Sequence, residues 1–290
     1  MRRTVCGVVA GVLMTTAAFA QETAGTSGQG APAAVPTASA QPSPVQSAPA
    51  GEVPKRYTVT VGADFPTSYM FRGIHQESRG VIAQPPVDLG VSLSETLTLN
   101  VGQWHSVHSG PSGSFYESDY YGSLTFAAGK FKPGVLFTSY TSHANRFATV
   151  QEIAGFVSFD DSGSRFPLAP KATVAFELDG QADGGTSKGT YLELAIRPGV
   201  KLIDAPSPLL LAIPTRVGLS LKDYYEGVSG SDTFGFFSSG LIASVPVTTG
   251  KVTWDIHGGV DLMWLGTNMK FLNANDAFKP IGVFGVTLTY

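Results

Sequence analysis

The chain has 290 residues, 43% of them apolar and 14% charged, with a formal net charge of −3. A soluble domain carries about 25% charged residues, so this deficit, with 34 glycines, argues against a helical cytosolic enzyme. The acidic balance argues against a nucleic-acid partner, and beyond residue 20 no apolar run approaches the ~18 residues of a membrane-crossing helix.

Residues 1–20 read as a secretory signal: Arg2 and Arg3, an apolar stretch from Val5 to Met14, then Ala18-Phe19-Ala20 as a cleavage site. Cleavage would remove Cys6 and leave a chain without a disulfide, a thiol nucleophile or a Cys-ligated metal. It would also remove two arginines, leaving 17 basic against 22 acidic residues. Residues 21–55 are rich in Ala, Pro, Ser, Gly, Thr and Gln and contain no Phe, Tyr, Trp, Leu or Ile. Such a segment buries too little apolar surface to offset its ordering entropy and is expected to be a disordered linker. Extended at ~3.1 Å per residue it would span about 100 Å.

From residue 56 the pattern has period two. Tyr57, Val59, Val61, Ala63 and Phe65 alternate with Thr58, Thr60, Gly62 and Asp64. Val87, Leu89, Val91 and Leu93 alternate likewise, as do Leu97, Leu99 and Val101. The same holds for Val252, Trp254 and Ile256, for Val260, Leu262 and Trp264, and for Phe284, Val286, Leu288 and Tyr290. This is strand periodicity with one apolar and one polar face.

Short turns are expected at 94–96, 129–130, 160–164, 204–208 and 248–250. Mostly longer connections are expected at 77–80, 108–114, 143–146, 181–189, 226–231 and 267–279. About twelve strands at about 20 residues per strand and connection suit tilted membrane strands, with short turns at one end and longer loops at the other. The fold class expected is all-β: an antiparallel up-and-down transmembrane β-barrel occupying residues 56–290. A soluble sandwich accounts less well for an export signal combined with an apolar stripe on every strand. An even strand count puts both termini, and the linker, in the periplasm. The chain's last residue, Tyr290, ends an alternating strand and resembles the sorting signal read by the barrel-assembly machinery of bacterial outer membranes.

The segment Thr67-Ser68-Tyr69-Met70-Phe71-Arg72-Gly73-Ile74-His75-Gln76 resembles the S-D-Y-x-F-R-G-I-S-Q opening of a family of exported bacterial barrels, the porins of the TorF type. Thr67, Ser68 and His75 stand where that pattern has Ser, Asp and Ser, and Pro66 precedes it. Residues 87–107 resemble the family's next hairpin, 116–121 its Y-E-x-D-Y-Y strand, and Tyr191-Leu192-Glu193 a later Y-L-E strand. The resemblance spans residues 56–290 and implies an outer-membrane barrel. It implies neither a substrate nor a catalytic set.

If the apolar stripe faces lipid, the alternate residues line the lumen. Asp64 and Arg72 are expected there from the first strand, with Asp88, Glu117, Asp119, Glu193, Arg197, Arg216, Asp255 and Asp261 as the other pore-lining candidates. Glu177, Asp179, Lys222 and His257 share that parity. Two states of the lumen are compatible with this set: a wet pore, or a plug of paired charges such as Arg72 and Arg197 with Asp88 and Glu193. Tyr57, Trp104, Tyr120, Tyr121, Tyr224, Tyr225, Trp264 and Tyr290 read as an interfacial girdle, with sugar stacking as the alternative.

No cofactor and no metal is expected. His105 and His108 are three apart and would point to opposite faces of a strand. Ser139, Ser142 and His143 could in principle form a lipid-hydrolase pair. The function expected is passive passage of small polar solutes or ions, with mild cation preference from the acidic excess. Membrane lipid is the expected partner. The rivals are a non-conducting structural or surface-interaction barrel and a lipid-modifying enzyme.

Overall fold

A computed structural model describes residues 56–203, 208–227 and 230–290. The expected signal segment 1–20, the expected linker 21–55 and most of the turn at 204–208 lie outside the described residues, as do residues 228–229 of the 226–231 connection.

The chain enters as β1 (Tyr57–Pro66), makes an excursion through β2 (Tyr69–Phe71), β3 (Ile74–Glu77) and β4 (Ile82–Ala83), and continues as β5 (Pro86–Ser92). There follow β6 (Leu97–His108), β7 (Glu117–Phe126), β8 (Phe131–Thr141), β9 (Val150–Phe159), β10 (Lys171–Asp179) and β11 (Thr190–Ile196). Next are β12 (Gly199–Ile203), β13 (Leu209–Ala212), β14 (Thr215–Lys222) and the small pair β15 (Glu226–Gly227) and β16 (Gly230–Ser231). The last elements are β17 (Phe234–Thr249), β18 (Val252–Leu265), helix α1 (Thr267–Leu272) and β19 (Phe278–Thr289).

Twelve strands make the wall: β1, β5 to β11, β14 and β17 to β19, each antiparallel to its neighbours, with β19 returning to β1. At the seam the Val59 N–H donates to the Tyr290 carbonyl at 3.1 Å, and the Tyr290 N–H donates to the Val59 carbonyl at 2.9 Å. Closure pairs each of the twelve wall strands on both sides, so none of them presents the open edge that a flat sheet of this size would have to protect by other means. β12 and β13 prolong β11 and β14 beyond Pro198 and Pro214, which lack the N–H that a continuous ladder needs. The Ile213 N–H still donates to the Pro198 carbonyl at 2.8 Å and keeps the two prolonged strands together.

Strand alternation sends the apolar set outward. Val87, Leu89, Val101, Leu124, Val135, Phe137, Ile153, Val157, Leu194, Leu241, Ile256 and Phe284 are all exposed on the outer face. The short connections lie at the end that carries Tyr57 and Tyr290, here the terminus end; the longer ones lie at the opposite, loop end. One terminus-end connection is longer than expected and runs through residues 160–170. It is ordered by the Asp161 carboxylate, which accepts the Leu168 and Ala169 N–H groups at 2.6 and 2.9 Å.

The first strand also ends earlier than its alternation suggests. β1 stops at Pro66 and the chain turns into the barrel. Arg72 and Gly73, both with positive φ (40° and 91°), close β2 onto β3 as a two-residue turn of the kind that matches strand twist. Arg72 is therefore not a residue of the first wall strand, as its spacing suggests, but the tip of an inward hairpin.

Candidate functional site

The hairpin β2–β3 crosses the lumen at the loop end. Tyr69, Met70, Phe71 and Ile74 are buried, and their contacts come from strands all around the wall. Tyr69 packs against Trp104 of β6, with ring centroids 5.5 Å apart, and its hydroxyl donates to Glu117 Oε2 of β7 at 2.7 Å. Phe71 meets Tyr140 of β8 edge to face at 6.0 Å. Gly73 faces Phe236 of β17, Leu265 of β18 and Met269 of α1. The helix is tied to the same turn: Asn273, just past α1, donates from Nδ2 to the Gly73 carbonyl at 2.7 Å and accepts the His75 N–H at 3.0 Å. The lumen is thus filled from wall to wall at this level.

The hairpin tip is held by charge. Arg72 Nη1 and Nη2 donate to Glu152 Oε2 and Oε1 of β9, both at 2.8 Å, in a bidentate pair. The guanidinium lies 4.0 Å from the Tyr191 ring centroid and also donates to the Tyr224 hydroxyl. The Tyr225 hydroxyl donates to the Arg72 carbonyl at 3.1 Å. Both side chains are nearly dry, Arg72 at 9% and Glu152 at 4% exposure.

At the base of the hairpin the Glu77 carboxylate accepts the Ser78, Arg79 and Ser112 N–H groups at 2.8–2.9 Å and so links the first loop to the second. Burial pushes this carboxyl up, but the N–H donors outweigh burial and hold it at about 2. In the loop before β11, burial raises the Asp183 carboxyl to about 6, although it accepts the Glu226 and Gly185 N–H groups.

Between the hairpin and the terminus end the lumen is polar and more accessible. His257 bridges Asp255 at 3.1 Å and Asp64 at 3.0 Å. Arg216 pairs with Asp261 at 3.6 Å, and Asp261 accepts the Ser238 hydroxyl at 2.8 Å. Tyr121 donates to Asp88 at 2.6 Å, and Tyr191 donates to Glu193 at 2.8 Å. Arg197, at the break after β11, is exposed and within electrostatic reach of Asp255. The Asp64 and Asp255 side chains are 34% exposed, against 4% for Glu152, so the lumen is more open here than at the level of the hairpin.

The sequence-expected set therefore divides. Asp64, Asp88, Glu193, Arg197, Arg216, Asp255 and Asp261 belong to the accessible lower lumen. Glu117 and Asp119 are fully buried beside the hairpin, and Asp119 has no hydrogen-bond partner for either oxygen among the described residues. Glu177 is buried, with its carboxylate on the Ala182 and Gly189 N–H groups, whereas Asp179 is exposed at a bulge. The expected pairing of Arg72 and Arg197 with Asp88 and Glu193 does not form. Those carboxylates take tyrosine hydroxyls, and Arg72 takes Glu152.

The expected girdle divides as well. Tyr57, Tyr120, Trp264 and Tyr290 are exposed, but Trp104, Tyr224 and Tyr225 are buried inside and Tyr121 points into the lumen. Ser142 donates to the Tyr116 carbonyl at 2.7 Å rather than to the exposed His143. Instead, His108 is held between Ser106 (2.6 Å) and Ser112 (2.5 Å) and stacks on Tyr116 in the hairpin's seat. Glu152 was not among the sequence candidates. Its signal was a lone carboxylate next to the apolar Ile153 on an alternating strand.

No family model matches the chain, and no curated protein matches it in sequence. Its fold is similar to that of several barrels of known structure. Among them is CdiB from Acinetobacter baumannii, at 10% identity and TM-score 0.44, covering 82% of this chain; the chain spans 61% of the length of that protein. Another is an outer membrane channel from Pseudomonas putida F1, at 12% identity and TM-score 0.45, covering 82% of this chain and 97% of that one. A third is OmpF from Salmonella typhi in complex with daunomycin, at 9% identity and TM-score 0.39, covering 81% and 97%.

Proposed function

We propose that the chain is a bacterial outer-membrane β-barrel that serves as a channel for small polar solutes or ions and is closed, in the state described, by its own first loop. The observation that carries this reading is the contrast along the lumen: a charged, solvent-reachable lower part, sealed at one level by the buried hairpin 69–77. A barrel needing only mechanical closure has no use for accessible carboxylates and guanidinium groups in its interior; a solute path has. The outer belt of Val, Leu, Ile and Phe side chains supports membrane insertion, since a patch of that extent would be a liability in water and matches hydrocarbon.

In this reading residues 1–20 direct export, 21–55 are a periplasmic linker, lipid surrounds the belt, and the Tyr290 strand engages the assembly machinery. The resemblance to TorF-type porins fits the same picture, with the Y-x-F-R-G-I segment as the hairpin. The lower lumen takes part through Asp64, Asp88, Glu193, Arg197, Arg216, Asp255 and Asp261, and mild cation preference follows from the acidic excess.

The test is single-channel recording of the full mature chain in a planar bilayer under a salt gradient, beside a variant in which residues 69–77 are replaced by a short Gly-Ser linker. The wild type is expected to be silent or to open rarely, and the variant to give steady, cation-preferring steps. A folded, inserted variant that stays silent overturns the channel reading. It would favour the second reading, a non-conducting barrel acting through its loops, which the filled cross-section also supports.

A further inference from the structure

The first position of a two-residue hairpin turn with positive φ at both residues favours Asn, Asp or Gly. Here it is Arg72, at φ 40°, a left-handed conformation that costs a long side chain free energy. Such strain persists where the surroundings over-determine it, and what surrounds Arg72 is a set of groups matched to its guanidinium alone. Glu152 presents both oxygens to two nitrogens at 2.8 Å each. Tyr191 offers a ring face at 4.0 Å, and Phe71 and Tyr224 offer rings at 5.4 and 5.1 Å. The Tyr224 hydroxyl takes a further N–H, and the Tyr140 hydroxyl donates to Glu152 Oε1 at 3.4 Å, fixing the carboxylate. A planar fork that bonds edge-on to a carboxylate while its face lies on an aromatic ring is what guanidinium does and a compact ammonium or a metal ion does not.

Every wall component of this box belongs to the barrel: Tyr140 to β8, Glu152 to β9 and Tyr191 to β11, with Tyr224 just past β14. The cation comes from the hairpin, together with the more distant Phe71 ring. We infer that the Glu152–Tyr191–Tyr224 box is a binding site for the guanidinium group of a solute, occupied in the described state by the chain's own Arg72. Withdrawal of the hairpin would then empty a site that a guanidinium-bearing solute can fill, and refilling by Arg72 would expel that solute and close the lumen. The inference rests on the channel reading only for the route by which a solute reaches the box.

The test uses the full mature chain refolded in detergent, as wild type, Arg72→Ala and Arg72→Ala/Glu152→Gln, each titrated with millimolar guanidinium chloride against sodium chloride and methylammonium chloride at equal ionic strength. The thermal unfolding midpoint is the primary readout. Guanidinium is expected to raise the midpoint of Arg72→Ala by a few degrees and to leave the wild type, whose box is full, and the double variant, whose carboxylate is gone, unmoved. Sodium and methylammonium should do nothing selective. If Arg72→Ala refolds poorly, refolding yield becomes the readout, and millimolar guanidinium should restore it.

Absence of any selective effect on Arg72→Ala, or an equal effect on wild type or double variant, overturns the inference. Bilayer recording separates it from the channel reading. A conducting Arg72→Ala barrel whose steps guanidinium does not block would sink the box and keep the channel. If the barrel with residues 69–77 replaced stays silent while guanidinium still stabilises Arg72→Ala, the channel is sunk and the box is kept.

Discussion

The ring of Tyr225 occupies the space that a side chain at Gly235 would need. An added β-carbon there would overlap the ring, which is fully buried and whose hydroxyl supports the Arg72 carbonyl. Gly235→Ala should therefore cost about 1–3 kcal/mol, the usual penalty for overpacking a dense interior. Tyr225→Phe removes only the hydrogen bond and should cost about 0.5–1.5 kcal/mol. Urea unfolding of the refolded barrels checks both, and a Gly235→Ala barrel as stable as wild type would show that the ring yields freely.

Glu152→Gln leaves the Arg72 guanidinium buried without its counter-charge. Removing one partner of a buried pair costs about 3–5 kcal/mol, whereas replacing both by apolar side chains of similar volume is often neutral. The double variant Arg72→Met/Glu152→Met should thus be more stable than Glu152→Gln alone. The same urea midpoints decide it, and a double variant weaker than the single one would contradict the balance of terms.

Glu77 predicts an acid limb. Its folded value of about 2 lies below the ordinary carboxylate range, so its contribution is fully present above about 4.5 and is lost as pH falls toward about 2. Unfolding midpoints of the wild type should fall across that window. Glu77→Gln should start lower and give a flatter profile there, since its amide does not titrate. Parallel profiles would rule out Glu77 as a source of the limb.

Val135 sits outward near the middle of β8 and is 51% exposed. Arg at this position should cost about 2–4 kcal/mol in a bilayer if the belt faces hydrocarbon. Folding of Val135→Arg into lipid vesicles should suffer by that amount, with little effect in a detergent that lets the charge reach water. Equal stability in both would mean that the belt does not lie at mid-membrane.

The wall was legible because its physics is local. Val87-Asp88-Leu89, Thr253-Trp254-Asp255 and Phe284-Gly285-Val286 each separate an apolar from a polar side within three residues, and a strand obeys that separation wherever it lies. The hairpin was not legible as a plug because Tyr69 and Phe71 carry the same period-two signature as a wall strand. The residues that differ from a wall pattern are Met70, apolar on what should be the polar side, and the Arg72-Gly73 turn. Trp104, Tyr224 and Tyr225 misled for a related reason: an aromatic near a strand end suits a lipid interface and a packed interior equally well.

What the linear pattern dictates on its own is the strand succession, the outward apolar face and the closed antiparallel sheet, because each follows from partition of side chains between two environments at every second residue. Which carboxylate meets Arg72, and that the first loop turns inward, were decided only when the sheet closed. Closure brought Glu152, Tyr191 and Tyr224, residues 80 to 152 positions away from Arg72, around one point in the lumen. Contacts at such separations are set by register and curvature summed over the whole wall, and no local run of residues encodes that sum.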